Sequence, residues 1–282
     1  MLGRAVVEVF TERHTVVGVD LPDGDLTDPV VVNGMMDTHQ PQWVIHTAAF
    51  TDVDGSETHQ EEALRVNGGA TSNLATSCSG RGLGLTYLST DYVFPGAADH
   101  YDEHAARDPV NYYGLTKARG EEVVAAAACP WQIVRTSWLF GPGPRNFVLT
   151  IRRLLKSPNP IKVVDDQTGC PTYAPDLAEL LLCLVERNGR GYYHGTNAGA
   201  CTWFQFAQEI ARLSGADPDR IVPCTTAEYP TPARRPASSV LVSHRVEKLG
   251  CPPRPTWQDA LVRYIRLLAA AESPEGMKGT DS

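Results

Sequence analysis

The sequence predicts an α/β fold, a doubly wound parallel sheet followed by a smaller C-terminal lobe. Up to about residue 137, short apolar runs alternate with amphipathic segments long enough to be helices. This alternation is typical of parallel strands joined by right-handed helical crossovers. From Trp138 onwards the segments are shorter and are broken by proline and glycine, as in Gly-Pro-Gly-Pro at 141–144. The chain of 282 residues has room for both parts.

The order of the elements follows from the spacing of apolar residues. A first helix is predicted over residues 2–14, and the β-branched run at 15–19 predicts a strand. Asp28 and Pro29 are typical of a helix start, so a second helix is expected over 26–39. The remaining predictions are strands at 43–49, 83–89 and 131–136, and helices at 57–79, 113–128, 146–156, 174–187, 202–213 and 256–271.

Composition excludes several classes of function. Acidic residues outnumber basic residues 33 to 25, and the net charge of −8 disfavours nucleic acid and anionic membranes as partners. No apolar run could span a membrane and no signal peptide is recognisable, which predicts a cytoplasmic protein. The seven cysteines are widely spaced and odd in number, and the eight histidines show no metal-ligand spacing. We therefore expect reduced thiols, no disulfide framework and no metal.

A tyrosine and a lysine four residues apart are the first candidates for chemistry. Tyr113 and Lys117 begin a predicted helix, where this spacing places both on one face. A nearby ammonium stabilises phenolate, so Lys117 is expected to lower the pKa of Tyr113 and to let its hydroxyl exchange a proton near neutral pH. The Thr90 hydroxyl, 23 residues upstream, ends an apolar strand. Ligands of parallel sheets bind at that edge.

These segments resemble the extended short-chain dehydrogenase/reductases, and within them the dTDP-4-dehydrorhamnose reductase family. The resemblance runs from residue 2 to about 270. Its most specific parts are Ser-Thr-Asp-Tyr-Val-Phe at 89–94 and Arg-Thr-Ser-Trp at 135–138. The Tyr/Lys pair alone would indicate only the superfamily. Other matching segments are His-Thr-Ala-Ala-Phe-Thr-Asp-Val-Asp at 46–54, Val-Asn at 66–67, Asp-Asp-Gln-Thr-Gly-Cys-Pro-Thr at 165–172 and Ala-Arg-Arg-Pro at 233–236.

The resemblance implies a Rossmann-type dinucleotide-binding domain over residues 1–137 and a mainly substrate-binding lobe over 138–271. Some segments of that lobe are expected to return to the sheet, and residues 272–282 are expected to form a disordered tail. The implied reaction is reduction of the C4 ketone of a dTDP-4-keto-6-deoxy sugar by NADPH or NADH. A homodimer is also expected.

The resemblance assigns roles to individual residues. Tyr113 would protonate the ketone oxygen, Lys117 would also hold the nicotinamide ribose, and Thr90 would polarise the ketone. The other residues expected to bind the cofactor are Met1, Leu2, Gly3, Asp20, Asp25, Leu26, Ala49, Phe50, Thr51 and Leu88. The residues expected to bind the substrate are Thr90, Asp91, Trp138, Asn146 and Arg235.

Two of these assignments have a direct physical reason. The carboxylate of Asp20 would accept ribose hydroxyls and repel a 2′-phosphate, which favours NADH, although the resemblance allows NADPH. A diphosphate needs local cations, because the net charge is negative, and Arg234-Arg235 and Arg145-Asn146 are the candidates, since a guanidinium matches the geometry of a phosphate.

One part of the family's pattern is missing at the N-terminus. In this family a first strand runs into a glycine-rich turn that lets the backbone approach the pyrophosphate, and only Gly3 of that turn is present. The missing strand would lie between those predicted at 15–19 and 43–49, where unpaired ladder edges are destabilising. We expect about ten further residues before Met1 in the functional protein.

Two other functions stay open. The motifs report a cofactor and a ketone, so the protein could be a 4-keto reductase of another nucleotide deoxysugar. It could also be a regulatory subunit on the same fold, similar to the beta subunit of methionine adenosyltransferase. The incomplete phosphate turn favours the regulatory subunit, whereas the intact Thr90, Tyr113 and Lys117 favour an enzyme.

Overall fold

Four parallel strands form the central sheet of the structure, a computed structural model that describes residues 1–272. They are β1 (Trp43–His46), β2 (Gly84–Thr90), β3 (Trp131–Thr136) and β8 (Gly191–His194). The strand order is β1-β2-β3-β8. In the register of the sheet, Tyr87 of β2 pairs with His46 of β1 on one side and with Ile133 of β3 on the other. β2 lies inside the sheet and is buried along its whole length.

Residues 1–272 form eleven α-helices, of which some cover both faces of this sheet. They are α1 (Leu2–Thr11), α2 (Pro29–His39), α3 (Gly55–Thr58), α4 (Gln60–Leu64), α5 (Thr71–Arg81), α6 (Tyr112–Ala125), α7 (Phe147–Leu154), α8 (Ala174–Glu186), α9 (Trp203–Leu213), α10 (Arg245–Lys248) and α11 (Trp257–Glu272). α1 and α8 pack against Leu88, and α5 and α6 pack against Tyr87. Because adjacent residues of a strand point to opposite faces, the predicted doubly wound sheet is confirmed. Within residues 1–272, no helix is both long and apolar enough to cross a membrane.

The C-terminal part has its own core, in which α7, α9 and α11 pack together. Six short strands accompany these helices: β4 (Leu139–Phe140), β5 (Ile161–Val164), β6 (Thr168–Gly169), β7 (Thr172–Tyr173), β9 (Cys201–Thr202) and β10 (Ile221–Cys224). They form the pairs β4 with β7, β5 with β10, and β6 with β9. The division of the chain at residue 137 stays a prediction.

The strand expected at 15–19 is wrong. These residues belong to no strand, and Val17 and Val19 are 53% and 45% exposed. A strand needs a neighbour for its backbone hydrogen bonds, and none of the strands described between residues 1 and 272 lies beside this segment. The β-branched residues of this segment therefore have no strand with which to pair.

Two further expectations need correction. The single helix expected over 57–79 is divided, because His59 has a non-helical backbone and a π-helical stretch, Arg65–Ala70, precedes α5. Glu272 does not belong to a tail, since it ends α11 and forms an ion pair with Arg152 (2.9 Å). Residues 273–282, the rest of that expected tail, lie outside the described residues.

The expectation of seven reduced thiols is wrong for two of them. Cys183 on α8 forms a disulfide with Cys251, and their Cα atoms are 5.9 Å apart. The two residues are 68 positions apart in sequence, so the tertiary fold and not a local motif brings them together. The other five cysteines are buried thiols: Cys78, Cys129, Cys170, Cys201 and Cys224.

A buried ion pair fastens α6 to the sheet. The Glu121 carboxylate accepts hydrogen bonds from Arg135 Nε (2.9 Å) and Nη2 (2.8 Å) and from the Ser89 hydroxyl (2.6 Å). The Arg135 guanidinium also lies over the rings of Phe94 and Tyr192. Both charges are thereby paired, which burial requires.

We expect Glu121→Ala to lower the free energy of unfolding by about 3–5 kcal/mol, because it leaves the Arg135 guanidinium buried without its counter-charge. The adjacent substitution Glu122→Ala removes ion pairs with Arg119 (2.7 Å) and Arg107 (4.0 Å) at an exposed carboxylate and should change stability by about 1 kcal/mol or less. Denaturant titration of both variants measures the difference. Equal losses in the free energy of unfolding would show that the buried ion pair stabilises the fold no more than the exposed one.

Candidate active site

Helix α6 begins directly against the turn that follows β2. Asn111 caps the helix, because its Oδ1 accepts a hydrogen bond from the backbone N–H of Gly114 (2.8 Å). A Cβ at Gly114 would collide with the carbonyl oxygen of Tyr92. The absence of a side chain therefore lets the helix start next to the turn. Tyr113, the second residue of α6, is thereby brought to Thr90, the last residue of β2.

Two hydroxyls and a carboxyl lie side by side at this point. The Tyr113 hydroxyl lies beside the Thr90 hydroxyl. Thr90 also donates to Asp91 Oδ1 (2.9 Å) and accepts from the backbone N–H of Tyr92 (3.2 Å). Asp91 is 3% exposed, and burial raises the pKa of its carboxyl to about 7. The predicted residues Thr90, Asp91 and Tyr113 thus converge.

Lys117 lies one turn further along α6 and is also buried. Its Nζ is 4.2 Å from the centre of the Tyr87 ring, and burial lowers its pKa to about 7. The expected lowering of the Tyr113 pKa is wrong, because burial and the nearby Asp91 raise it well above its ordinary value. Desolvation opposes charge on both groups, and it outweighs the attraction of a lysine that is itself only partly charged near neutral pH.

Asn67 holds the loop after β1 against α6. Its Oδ1 accepts from the Phe50 N–H (2.8 Å), and its Nδ2 donates to the Phe50 carbonyl (3.1 Å) and to Thr116 Oγ1 (2.9 Å). The loop at 49–51, predicted to bind the cofactor, therefore lies next to the helix that carries Lys117. The sequence showed Asn67 only as part of a matching dipeptide, because its partners are 17 and 49 residues away.

The N-terminus of α1 lies at the end of β1. A Cβ on Gly3 would be 3.1 Å from Thr47 Oγ1, so helix and strand end approach closely. No side chain within the described part of the chain caps the first turn of α1. Its N–H groups and the positive end of the helix dipole make a cradle that suits a phosphate. Of the predicted cofactor residues, Met1, Leu2 and Gly3 lie in this turn, and Leu2 packs in the same buried cluster as Leu88.

Three other predicted cofactor residues lie in the segment before α2. Asp20 is exposed and caps a short 3-10 helix, Leu21–Asp23, by accepting from the Leu21 N–H (2.8 Å). Asp25 forms an ion pair with Arg65 (3.3 Å). Leu26 is half-buried. Their contact with a cofactor stays a prediction.

On the side predicted to bind substrate, Trp138 follows β3 with a left-handed backbone, φ 47°. This conformation is uncommon for a residue with a large side chain. The ring stacks on Trp203 with centroids 3.6 Å apart. One face of the indole is therefore covered, and a sugar could contact only the other face or the ring edge.

Asn146 has a structural role that uses both of its side-chain N–H groups. Its Oδ1 caps α7 by accepting from the Leu149 N–H (3.0 Å), and its Nδ2 donates to the Gly141 carbonyl (2.9 Å) and the Tyr264 hydroxyl (3.1 Å). Donation to a substrate would require one of the Nδ2 bonds to break, whereas Oδ1 has a second lone pair that could still accept.

Arg235 forms an ion pair with Asp54, which lies in the loop after β1. Both guanidinium Nη atoms contact the Asp54 carboxylate, with Nη2 and Oδ2 3.0 Å apart. Arg235 also lies beside the Tyr92 side chain, whose ring meets the Tyr113 ring edge-on with centroids 6.1 Å apart. Sequence reasoning missed Asp54 as a partner, because the two residues are 181 positions apart and no local pattern links them.

The fold and the site define an α/β oxidoreductase, in which a threonine, a tyrosine and a buried lysine meet at the ligand-binding edge of a doubly wound sheet. The family described as "RmlD substrate binding domain" matches residues 1–270, and the chain belongs to this family.

Individual relatives agree with this assignment. The chain is 38% identical over 276 residues to a dTDP-4-keto-6-deoxy-D-glucose reductase of Streptomyces niveus, which covers 97% of this chain and 96% of the relative. It is 40% identical over 277 residues to a dTDP-4-dehydrorhamnose reductase of Streptomyces griseus, with coverage of 95% and 91%. A solved dTDP-4-dehydrorhamnose reductase of Bacillus anthracis, in complex with NADP, superposes with a TM-score of 0.91 at 34% identity and coverage of 94% and 95%. The predicted family is confirmed.

We expect Gly114→Ala to lower the free energy of unfolding by about 1–3 kcal/mol, because its Cβ must displace backbone at the start of α6. Gly80→Ala is the matched control: this residue is exposed within α5 and a Cβ there meets nothing within 4 Å. Alanine should stabilise that helix by about 0.5–1 kcal/mol. Thermal denaturation would contradict the close approach at Gly114 if both variants gained stability.

Proposed function

We propose that this protein reduces the C4 ketone of a dTDP-4-keto-6-deoxy sugar with NADPH or NADH, and that it converts dTDP-4-dehydro-L-rhamnose to dTDP-L-rhamnose. The observation that carries this proposal is the convergence of Thr90, Tyr113 and Lys117 at one buried point of the sheet edge. Both relatives named above are reductases of dTDP-linked 4-keto or 4-dehydro sugars, which supports the same substrate class.

The protein's own residues hold the substrate and supply the proton. Reduced nicotinamide, when bound, supplies the hydride for the sugar C4. Tyr113 keeps its proton near neutral pH, because its pKa is raised, and donates it to the C4 oxygen as negative charge develops there. The Thr90 hydroxyl lies beside the Tyr113 hydroxyl and can polarise the same oxygen. The Lys117 ammonium would hold the ribose hydroxyls next to the nicotinamide.

The cofactor fits the same edge of the sheet. The uncapped first turn of α1 suits the pyrophosphate, and the loop at 49–51 would lie along the dinucleotide. Asp20 would accept the hydroxyls of the adenosine ribose, with Asp25 and Leu26 beside the adenine. The negative charge of Asp20 favours NADH, whereas the relative from Bacillus anthracis binds NADP.

Substrate contacts are proposed on the opposite side of the site. Asp91 and Trp138 would contact the sugar, and Arg235 would bind the diphosphate. Asn146 would contribute through the segment 141–146 that its amide holds in place. A homodimer and a cytoplasmic location stay predictions.

A second deoxysugar remains a specific candidate. The chain is almost as similar to the reductase named for dTDP-4-keto-6-deoxy-D-glucose as to the one named for dTDP-4-dehydrorhamnose, at 38% and 40% identity. The site residues described indicate reduction of a C4 ketone, but they do not indicate the configuration of the neighbouring hydroxyls of the sugar. Comparing kcat/KM for the two sugars would decide between them. A regulatory subunit is disfavoured because Thr90 and Tyr113 are both present and lie side by side.

We expect Tyr113→Phe to lower kcat by about 100-fold or more, because the variant lacks the acid that protonates the C4 oxygen. Binding of the cofactor should be largely preserved, since the ring remains. Oxidation of NADH and NADPH, followed by absorbance with dTDP-4-dehydro-L-rhamnose, measures this effect. Tyr112→Phe removes the neighbouring hydroxyl and serves as the matched control. A Tyr113→Phe variant with wild-type turnover would overturn the assignment of the acid.

We expect Asp20→Asn to raise the ratio of kcat/KM for NADPH to that for NADH by about tenfold, because it removes a negative charge next to the ribose 2′ position. Asparagine still caps the short helix that follows, so the fold should be unaffected. Asp28→Asn is the control, since Asp28 caps α2 in the same way. An equal change in both variants, or none in either, would argue against a ribose contact at Asp20.

A further inference from the structure

Asp91 lies one hydrogen bond from the reacting hydroxyls but has no part so far in proton transfer. Its Oδ1 accepts from Thr90, whereas its Oδ2 is buried and has no hydrogen-bond partner within residues 1–272. The buried side chain of Ser239 faces the same carboxyl. A buried carboxylate oxygen without a partner is unfavourable as an anion, and binding a proton removes that penalty.

Because the Thr90 hydroxyl has a single proton, the charge of Asp91 decides in which direction the hydroxyls of Thr90 and Tyr113 donate. A threonine hydroxyl has one proton to donate and two lone pairs that accept. Its proton points to Asp91 Oδ1, and one lone pair accepts from the Tyr92 N–H. A Tyr113 hydroxyl that bonds to Thr90 must therefore donate to the remaining lone pair. With Asp91 ionised, both hydroxyl protons then point towards the carboxylate and away from a ketone.

We propose that Asp91, acting as a positioning residue through Thr90, stores the proton that aims the two hydroxyls at the ketone and restores Tyr113 after reduction. The inference rests on the proposed reduction. With Asp91 protonated, each bond of the chain reverses, so that Asp91 donates to Thr90, Thr90 to Tyr113, and Tyr113 to the sugar oxygen.

The transfers balance in atoms and charge. The hydride from the reduced nicotinamide forms the new C–H bond at C4, and the cofactor leaves oxidised. The Tyr113 O–H bond breaks and its proton binds the sugar oxygen. The Thr90 proton then passes to the Tyr113 oxygen, and the Asp91 proton passes to Thr90. Asp91 is left as a carboxylate, which takes its next proton from water.

The groups around Asp91 permit this cycle. Its neighbours that titrate have raised pKa values through burial, and they are neutral near pH 7: Tyr92 on its own turn, Tyr113 on α6 and Cys170 on the loop after β6. The basic groups nearby are Arg235, which lies beside Tyr92 and is paired with Asp54, and Lys117, which lies further along α6 and is only partly charged near pH 7. Ser239 stabilises the ionised carboxyl, whereas burial opposes ionisation more strongly.

Infrared spectroscopy of the protein tests whether Asp91 carries the proton. The pKa of Asp91, raised to about 7, predicts a protonated-carboxyl band at pH 6 that disappears as the pH rises through 7. The band should be absent from Asp91→Asn and unchanged in Asp99→Asn, which alters an exposed carboxylate of the neighbouring loop. Ser239→Ala removes a hydrogen bond that favours the anion and should move the midpoint to higher pH. A band that survives in Asp91→Asn would overturn the proposal.

Turnover tests whether that proton is used. Asp91→Asn should lower kcat by about 10- to 100-fold, because asparagine cannot store the proton, with KM for the dTDP-sugar changed by about threefold or less, because asparagine keeps an oxygen where Asp91 would contact the sugar. The wild-type kcat should fall above pH 7, and Ser239→Ala should shift this fall upwards, whereas titration of Lys117 would be unaffected by that variant. Wild-type kcat in Asp91→Asn would also refute the relay. If Asp91→Asn does not fold, an unshifted profile in Ser239→Ala is the refuting result. Failure of the wild type to reduce any dTDP-4-keto-6-deoxy sugar would instead refute the proposed function, and the infrared titration would still report on Asp91.

Discussion

The buried ion pair between Glu121 and Arg135 fixes the position of the candidate active site. Tyr113, Lys117 and Glu121 are spaced four residues apart on α6, so they lie along one face of the helix. Glu121 at the end of this series is bonded to β3 through Arg135 and to β2 through Ser89. The same face that presents the phenol and the ammonium is therefore anchored to the two strands beneath it. A charge can be buried here only because four donors surround the carboxylate, two from Arg135 and one each from Ser89 and Arg107.

Exclusion of water sets the charges of the site more than the residue types do. Burial raises the pKa of Asp91 and lowers the pKa of Lys117, each to about 7, so both groups change protonation in the same narrow range. The resting site thus carries less charge than its sequence suggests. An anion or a set of hydroxyls placed beside Lys117 would favour its charged form, because it replaces the water that burial removed. Binding of a ligand at this point and protonation of Lys117 are therefore coupled.

The parts of the fold that local patterns predict are those whose stability is local. The strand at 131–136 and the helix ends near 174, 203 and 257 agree with the structure because alternation, capping and helical periodicity are properties of neighbouring residues. The convergence of Thr90 with Tyr113 follows from their places at a strand end and a helix start. The strand expected at 15–19, the disulfide at Cys183 and the Asp54 partner of Arg235 all depend on residues distant in sequence. A single sequence holds no local signal for such pairs.

Arg235 shows how such a distant pairing changes the chemistry expected from a motif. Alone, its guanidinium would offer a full positive charge to a diphosphate. In the structure Asp54 already holds both Nη atoms, so a phosphate must replace a carboxylate partner or share the guanidinium with it. The free energy that Arg235 contributes to binding is then the difference between two ion pairs, which is smaller than the strength of either. The pair also links the loop after β1 to Tyr92, beside Tyr113. If a diphosphate replaced Asp54 as the partner of Arg235, the Tyr92 ring beside the catalytic phenol of Tyr113 would therefore be affected. Diphosphate binding and the position of the acid thus depend on one side chain.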